Sequence, residues 1–322
     1  MKKLRHVVWI IFLYPFLIQA QTKPAPFKVG SNTSFIKRLA NSAIPKPGST
    51  TLNSVTIQLS PTESVIIDLH SAKASDDGKT YAGKVRNEQS RFNLAQTGKL
   101  TEGSVIFDGK AKGFKLYADE NDNLYSKEVS VDELLCIGME KQLYSNPNET
   151  TVVLPAGQNI YDLQSYPLAK AVVLLDFDGQ YVPAGPWGDA IDAEASRLSK
   201  DEMFEAWQIV SEDYRPFNIN ITTNESVFLN APSTQRKRVI FTPNDKALPG
   251  SGGVAFIGSF VYGDEYPCWV FNAGGKIAGE SASHEVGHTL ELFHDGRQQG
   301  DVYEEYYWGN SIWAPIMGVG FY

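Results

Sequence analysis

The chain has 322 residues, 42% of them hydrophobic and 20% charged, and a formal net charge of −8. That length allows two hydrophobic cores, that composition excludes wholesale disorder, and the acid excess argues against nucleic acid or an anionic membrane surface as a partner. Its two cysteines, Cys136 and Cys268, are too few for a disulfide scaffold and fit no zinc-ribbon spacing, although one bridge is allowed in an oxidising compartment.

Residues 1–20, MKKLRHVVWIIFLYPFLIQA, read as an export signal peptide. Lys2, Lys3 and Arg5 form a basic start, Val7 to Ile18 an apolar stretch, and Ala20 a small residue at the cleavage point. The apolar stretch is broken by Pro15 and falls short of the roughly 20 residues a spanning helix needs. A secreted chain beginning near Gln21 is expected, with net charge moved from −8 to −11 and no membrane span.

Residues 21 to about 55, rich in Pro, Ser, Thr, Asn and Lys, read as a loosely ordered lead-in. To residue 143 the pattern is that of a small β-rich domain: Val55, Ile57 and Leu59 alternate, Val65 to Leu69 are largely β-branched, and GSVIF and GFKLYA stand between turns such as DENDN. Residues 144–167 have the Asn, Pro and Gly content of a linker. From residue 168 the rhythm changes to a mixed α/β order. AVVLLD suits a buried strand, and Ser199 with Glu202 forms a capping box for an amphipathic helix that carries Met203, Phe204, Trp207 and Val210. Strand candidates follow at Asn218, Arg238, Gly253 to Val261 and Cys268. The triplet Arg236 to Arg238 is a solvated strand end rather than a processing site. Asp176 and Asp178 would be a calcium pair only if more ligands joined them, and one short DFD is mostly a turn.

Three of the five histidines lie in HEVGHTLELFH, His284 to His294. On a helix, His284 and His288 sit about 40° apart and can offer two imidazoles to one ion, with Glu285 beside it as a base rather than a ligand. His294 joins them only if the chain turns after His288. Three imidazoles around an open position form the ligand set of a catalytic zinc site.

This string resembles the signature of the metzincin zinc peptidases, HExxHxxGxxH followed by a Met-turn. Asp295 is similar to the residue that follows in the reprolysin or adamalysin branch, IWAPIMG offers Met317 for the turn, and LLDFDG and PFNINITT are similar to secreted bacterial members. YAGKVRNEQSRFNL and DELLCIG more faintly resemble reprolysin-like propeptides. The resemblance implies a metzincin-like catalytic domain over 168–322, with a mixed five-stranded sheet and a zinc helix, behind a β-rich propeptide-like domain over 21–143. It implies Met317 beneath the metal without binding it, and Asp295 either supporting a ligand or only forming the turn. Two departures stand out: the family glycine is Glu291, and only five residues follow Met317, so either the chain is partial or its lower subdomain is minimal.

The expected function is a secreted zinc endopeptidase acting on protein or peptide substrates. His284, His288 and His294 would hold one Zn²⁺, and Glu285 would pass a proton from water to the leaving amine. Gly253, Val254, Ala255 and Phe256 would begin the edge on which an extended substrate pairs. The alternatives are a gluzincin-type peptidase with Glu304 or Glu305 as third ligand, and a non-catalytic binding or adhesion module on the same fold. Cys136 has three readings: a latency switch on zinc's open position, a disulfide to Cys268, or a buried free thiol.

Overall fold

A computed structural model describes residues 25–43, 53–74, 78–107, 110–135, 152–299, 302–304, 306–307, 309–310 and 313–318. The export segment, Cys136 and Glu305 lie outside the described residues.

The first unit comprises β1 (Phe27–Ser31), α1 (Asn32–Ser42), β2 (Ser54–Gln58), β3 (Ser64–Ala74), β4 (Gly78–Val85), β5 (Ser90–Thr97), β6 (Leu100–Phe107), β7 (Lys112–Ala118) and β8 (Asn123–Ser130). The eight strands make one antiparallel sheet in the order β1-β8-β7-β6-β5-β4-β3-β2. Residues 27–42, expected to be loosely ordered, instead supply its edge strand β1 and helix α1. The polar residues that suggested disorder act as caps and anchors. Ser31 Oγ accepts from Ser34 N at 3.2 Å, and Asn32 Nδ2 donates to Thr101 Oγ1 at 3.0 Å. Between them Phe35, Ile36 and Leu39 share a helix face and complete a core with Ile57, Phe92 and Leu116.

The second unit runs β9 (Ala171–Asp176), β10 (Gln180–Val182), β11 (Ile191–Ala193), α2 (Lys200–Asp213), β12 (Ile219–Thr222), α3 (Glu225–Asn230), β13 (Arg236–Phe241), β14 (Gly253–Val254), β15 (Cys268–Val270), α4 (Gly275–Thr289), β16 (Arg297–Gln299) and β17 (Val302–Glu304). The capping box at Ser199 and Glu202 is present. Five strands form a mixed sheet ordered β12-β9-β13-β15-β14, parallel except for the antiparallel edge β14. Residues 152–167 belong with this unit rather than to a free linker: Leu154 N donates to Asp201 Oδ1 at 2.8 Å, and Gln164 bridges Thr222 on β12.

Strand alternation sorts the side chains of this sheet into two cores. Val239, Phe241, Cys268 and Val270 face α2 and α4, while Ile240, Val254 and Trp269 face Ala95, Ile106 and Val129 of the first unit. The molecule is thus layered, with the first sheet, the second sheet and the helix pair in sequence. No helix among the described residues is long and apolar enough to cross a membrane.

Two sequence expectations need correction. The segment Gly253 to Val261 is a strand only at Gly253–Val254; beyond Phe256 it turns through Gly258, at φ +73°, into a 3-10 stretch over Phe260–Glu265. The triplet at Arg236 to Arg238 is half-buried at Arg236 and buried at Lys237 and Arg238, not a solvated strand end. Lys237 is fully buried and donates to the Ser259 and Tyr266 carbonyls at 2.6 and 2.9 Å, and Arg238 pairs with Asp176 and Glu225. Asp176 is therefore held by a guanidinium and not by a cation cage; burial pushes its carboxyl up to about 7 against the pull of Arg238. Cys268 is a fully buried thiol beneath α4, its pKa pushed up to about 12 by burial; Cys136, its partner in the disulfide reading, lies outside the described residues.

Candidate metal centre

Helix α4 carries two of the three clustered histidines, and its N-terminal half is built to lie close to α2. A Cβ added at Gly279 would stand 2.9 Å from Ala206 Cα and 3.1 Å from Ile209 Cβ, so only glycine lets the helices approach this far. The Tyr214 hydroxyl then donates to the Ser283 carbonyl at 2.8 Å, one residue before the first histidine. The helix reaches the site already fixed against its neighbour and the sheet.

His284 and His288 are each 1% exposed. The Nδ1 of His284 faces the Ile316 carbonyl at 2.9 Å and that of His288 the Leu292 carbonyl at 2.8 Å. A carbonyl oxygen can only accept, so both Nδ1 atoms carry the proton and both Nε2 atoms present lone pairs. These Nε2 atoms stand 2.9 Å apart, and His294 Nε2 stands 3.1 Å from that of His288. Bare lone pairs at such distances repel unless a cation lies among them. Ligands about 2.05 Å from one tetrahedral zinc ion would lie about 3.3 Å from each other, close to what is found. The three histidines are therefore placed to hold one metal ion, and they are the cluster of this kind among the described residues.

Burial lowers the His284 pKa to about 4, against the Ile316 carbonyl, which favours the proton; His288 is lowered to about 2 by burial and by the neighbouring His284 and His294. In the metal-free chain, unfolded histidines would take up protons as pH falls through about 6.5, while folded His284 resists until about pH 4 and folded His288 until about pH 2. Stability from this pair is present above pH 6.5 and is lost progressively as pH falls through 4 and on toward 2. Melting temperature measured against pH on metal-free protein is expected to fall through that window. A flat profile from pH 7 to 4 would contradict the assignment of both Nε2 atoms as unprotonated.

Glu285 is fully buried, and its carboxylate lies against β14: a Cβ built on Gly253 would meet Glu285 Oε1 at 2.7 Å. The acid thus sits between the ligand helix and the sheet edge at its expected beginning, Gly253. Val254, Ala255 and Phe256 are all buried, and the edge continues to Gly258, whose N donates to the His288 carbonyl at 2.9 Å. Its outer side is taken by the end of the first unit. Leu135 pairs antiparallel with Phe256, and Ile257 N donates to the Leu134 carbonyl at 3.3 Å.

The turn to His294 lies where the departing glycine of the resembled signature would lie. α4 ends at Thr289, and Glu291 takes φ +71° while its N bonds the His288 carbonyl at 3.0 Å. A non-glycine residue in this region costs roughly 1–2 kcal/mol. Glu291→Gly is expected to raise stability by about 1 kcal/mol in chemical denaturation, with zinc retained. Beyond the turn, Asp295 is exposed and contributes backbone: its N donates to the Met317 carbonyl at 2.7 Å. Met317 is buried against Gly287, the helix residue just before His288, and so lies under the ligand pair.

Sequence reasoning overlooked the two carbonyls that orient the rings, because carbonyls carry no residue signature. It also overlooked Tyr306, whose ring centroid is 4.1 Å from that of His294. Of the rival third ligands, Glu304 lies on β17, and Glu305 is outside the described residues.

No family model matches the chain, and no curated protein matches it. Among solved structures, metalloproteinase-II from Bacteroides fragilis is similar over 83% of this chain and 86% of that one, at 11% sequence identity and a TM-score of 0.27.

Proposed function

We propose that the chain is a zinc-dependent peptidase acting on protein substrates, secreted and made with a first unit that keeps it latent. The observation that carries this reading is the convergence of unprotonated Nε2 atoms from His284 and His288 on His294, with the buried Glu285 carboxylate set between their helix and β14. Zinc held there supplies a Lewis acid that polarises a carbonyl and acidifies water. The residues of the chain do the rest. Glu285 accepts the proton of the attacking water and delivers it to the leaving amine, and its burial strengthens that exchange by excluding bulk solvent. An extended substrate paired along Gly253 to Phe256 would carry its scissile bond past Glu285.

Leu134 and Leu135 now occupy the outer side of that edge, which supports latency without need of a particular role for Cys136. Cleavage between the first unit and the second would free it. Casein digestion by the full chain and by chain nicked after residue 135, each with and without a zinc chelator, tests both parts. The expected result is cleavage only by the nicked, zinc-loaded protein. Zinc uptake with no cleavage in any form would favour a binding module on the same site.

A further inference from the structure

His284 and His288 are held by a helix, deep burial and a carbonyl each; His294 stands on a turn and is only half-buried. Its ring has a distinct neighbour. The centroid of Tyr306 lies 4.1 Å from that of His294 at an interplanar angle of 37°, and 6.4 Å from that of His284 at 28°. Resting on the zinc reading above, the geometry points to Tyr306 as a positioning residue that braces the third ligand, its ring fixing the plane in which His294 turns Nε2 toward the other two.

The backbone around this contact is built to keep it. Tyr307 N donates to the Asp295 carbonyl at 2.6 Å, and Asp295 N donates to the Met317 carbonyl at 2.7 Å, so the residues after His294 and after Tyr306 are tied together. The Tyr307 carbonyl lies against Gly318, where a Cβ would leave it no room. Arg297 stands over the Tyr307 ring at 5.1 Å, and Trp313 flanks that ring at 6.4 Å. Tyr307 thus anchors the segment, and the anchored segment presents the Tyr306 ring to His294. The contact joins two stretches of chain that share no helix, and the same knot includes the Ile316 carbonyl that orients His284. Loss of the Tyr306 ring would remove the contact that sets the plane of the His294 ring, so the site would keep two preset ligands and a third held less closely in register with them.

Zinc affinity by competition with a chromophoric chelator, and the visible spectrum of the cobalt-substituted full chain, test the role without reference to turnover. Tyr306→Phe keeps the ring and is expected to match wild type. Tyr306→Leu keeps apolar volume without the ring and is expected to weaken zinc binding by about tenfold to a hundredfold, with a cobalt spectrum moved toward that of His294→Ala. In a His294→Ala background, Tyr306→Leu is expected to add nothing. An unchanged affinity and spectrum for Tyr306→Leu would overturn the brace. So would a loss in Tyr306→Phe equal to that in Tyr306→Leu, which would assign the role to the hydroxyl, or a loss that adds to His294→Ala. Should the wild-type chain take up no zinc, the peptidase reading fails by itself. The brace is then read in metal-free protein from the His294 ring-proton resonances, which Tyr306→Leu must shift through loss of the ring current, and unmoved resonances overturn it.

Discussion

In the chain nicked after residue 135, Glu285→Gln is expected to bind one zinc ion per chain and to lose about 10² to 10⁴ in peptide cleavage. The substitution keeps the shape of a fully buried side chain packed against Gly253, so the helix, the edge strand and the histidines should be undisturbed. It removes only the ability to take and return a proton. Melting temperature near wild type with cleavage lost is therefore the signature of a base, whereas a base that was dispensable would leave the metal-loaded Gln variant active. Glu285 is not placed as a ligand: the convergent nitrogen atoms belong to the three histidines.

The second large effect is at the third ligand. His294→Ala is expected to lower zinc affinity by several powers of ten, since a two-imidazole site loses both a bond and the geometry that selects zinc. Glu304→Gln and Glu305→Gln should leave it near wild type. The structural basis is the His288 Nε2 to His294 Nε2 distance of 3.1 Å, reached because the chain turns through Glu291. Metal analysis after gel filtration separates the two cases. Zinc retained by His294→Ala and lost by either glutamate variant would make the protein a gluzincin-type peptidase.

How far these features were legible in the sequence depends on whether they were local. The spacing of His284 and His288 is a property of one helix turn, and so are the Ser199 and Glu202 cap and the run of α2; all three can be read along the chain. The β-rich first unit is legible for the same reason, through alternation at Val55, Ile57 and Leu59. Helix α1 was missed because its apolar face is only Phe35, Ile36 and Leu39, and its flanking Ser and Asn residues look like loop until their partners Asp122 and Thr101 are brought up by the sheet. Lys237 and Arg238 read as solvated because charge is usually solvated; carbonyls at Ser259 and Tyr266, and carboxylates at Asp176 and Glu225, reverse that, and none of these is near in sequence. The edge strand was overextended because Gly253 to Val261 alternates poorly but is rich in apolar residues, and the turn at Gly258 ends it. The covering of that edge by Leu134 and Leu135 could not be read at all, since pairing between units leaves no periodic mark.

The account centres on a single metal ion held by His284, His288 and His294. X-ray absorption at the zinc edge on the purified, zinc-loaded full chain measures this directly. The predicted result is one zinc per chain with three imidazole nitrogens at about 2.0–2.1 Å, the remaining scatterer being a light atom. Fewer than three imidazoles per zinc, or two or more sulfur scatterers at about 2.3 Å, would contradict it.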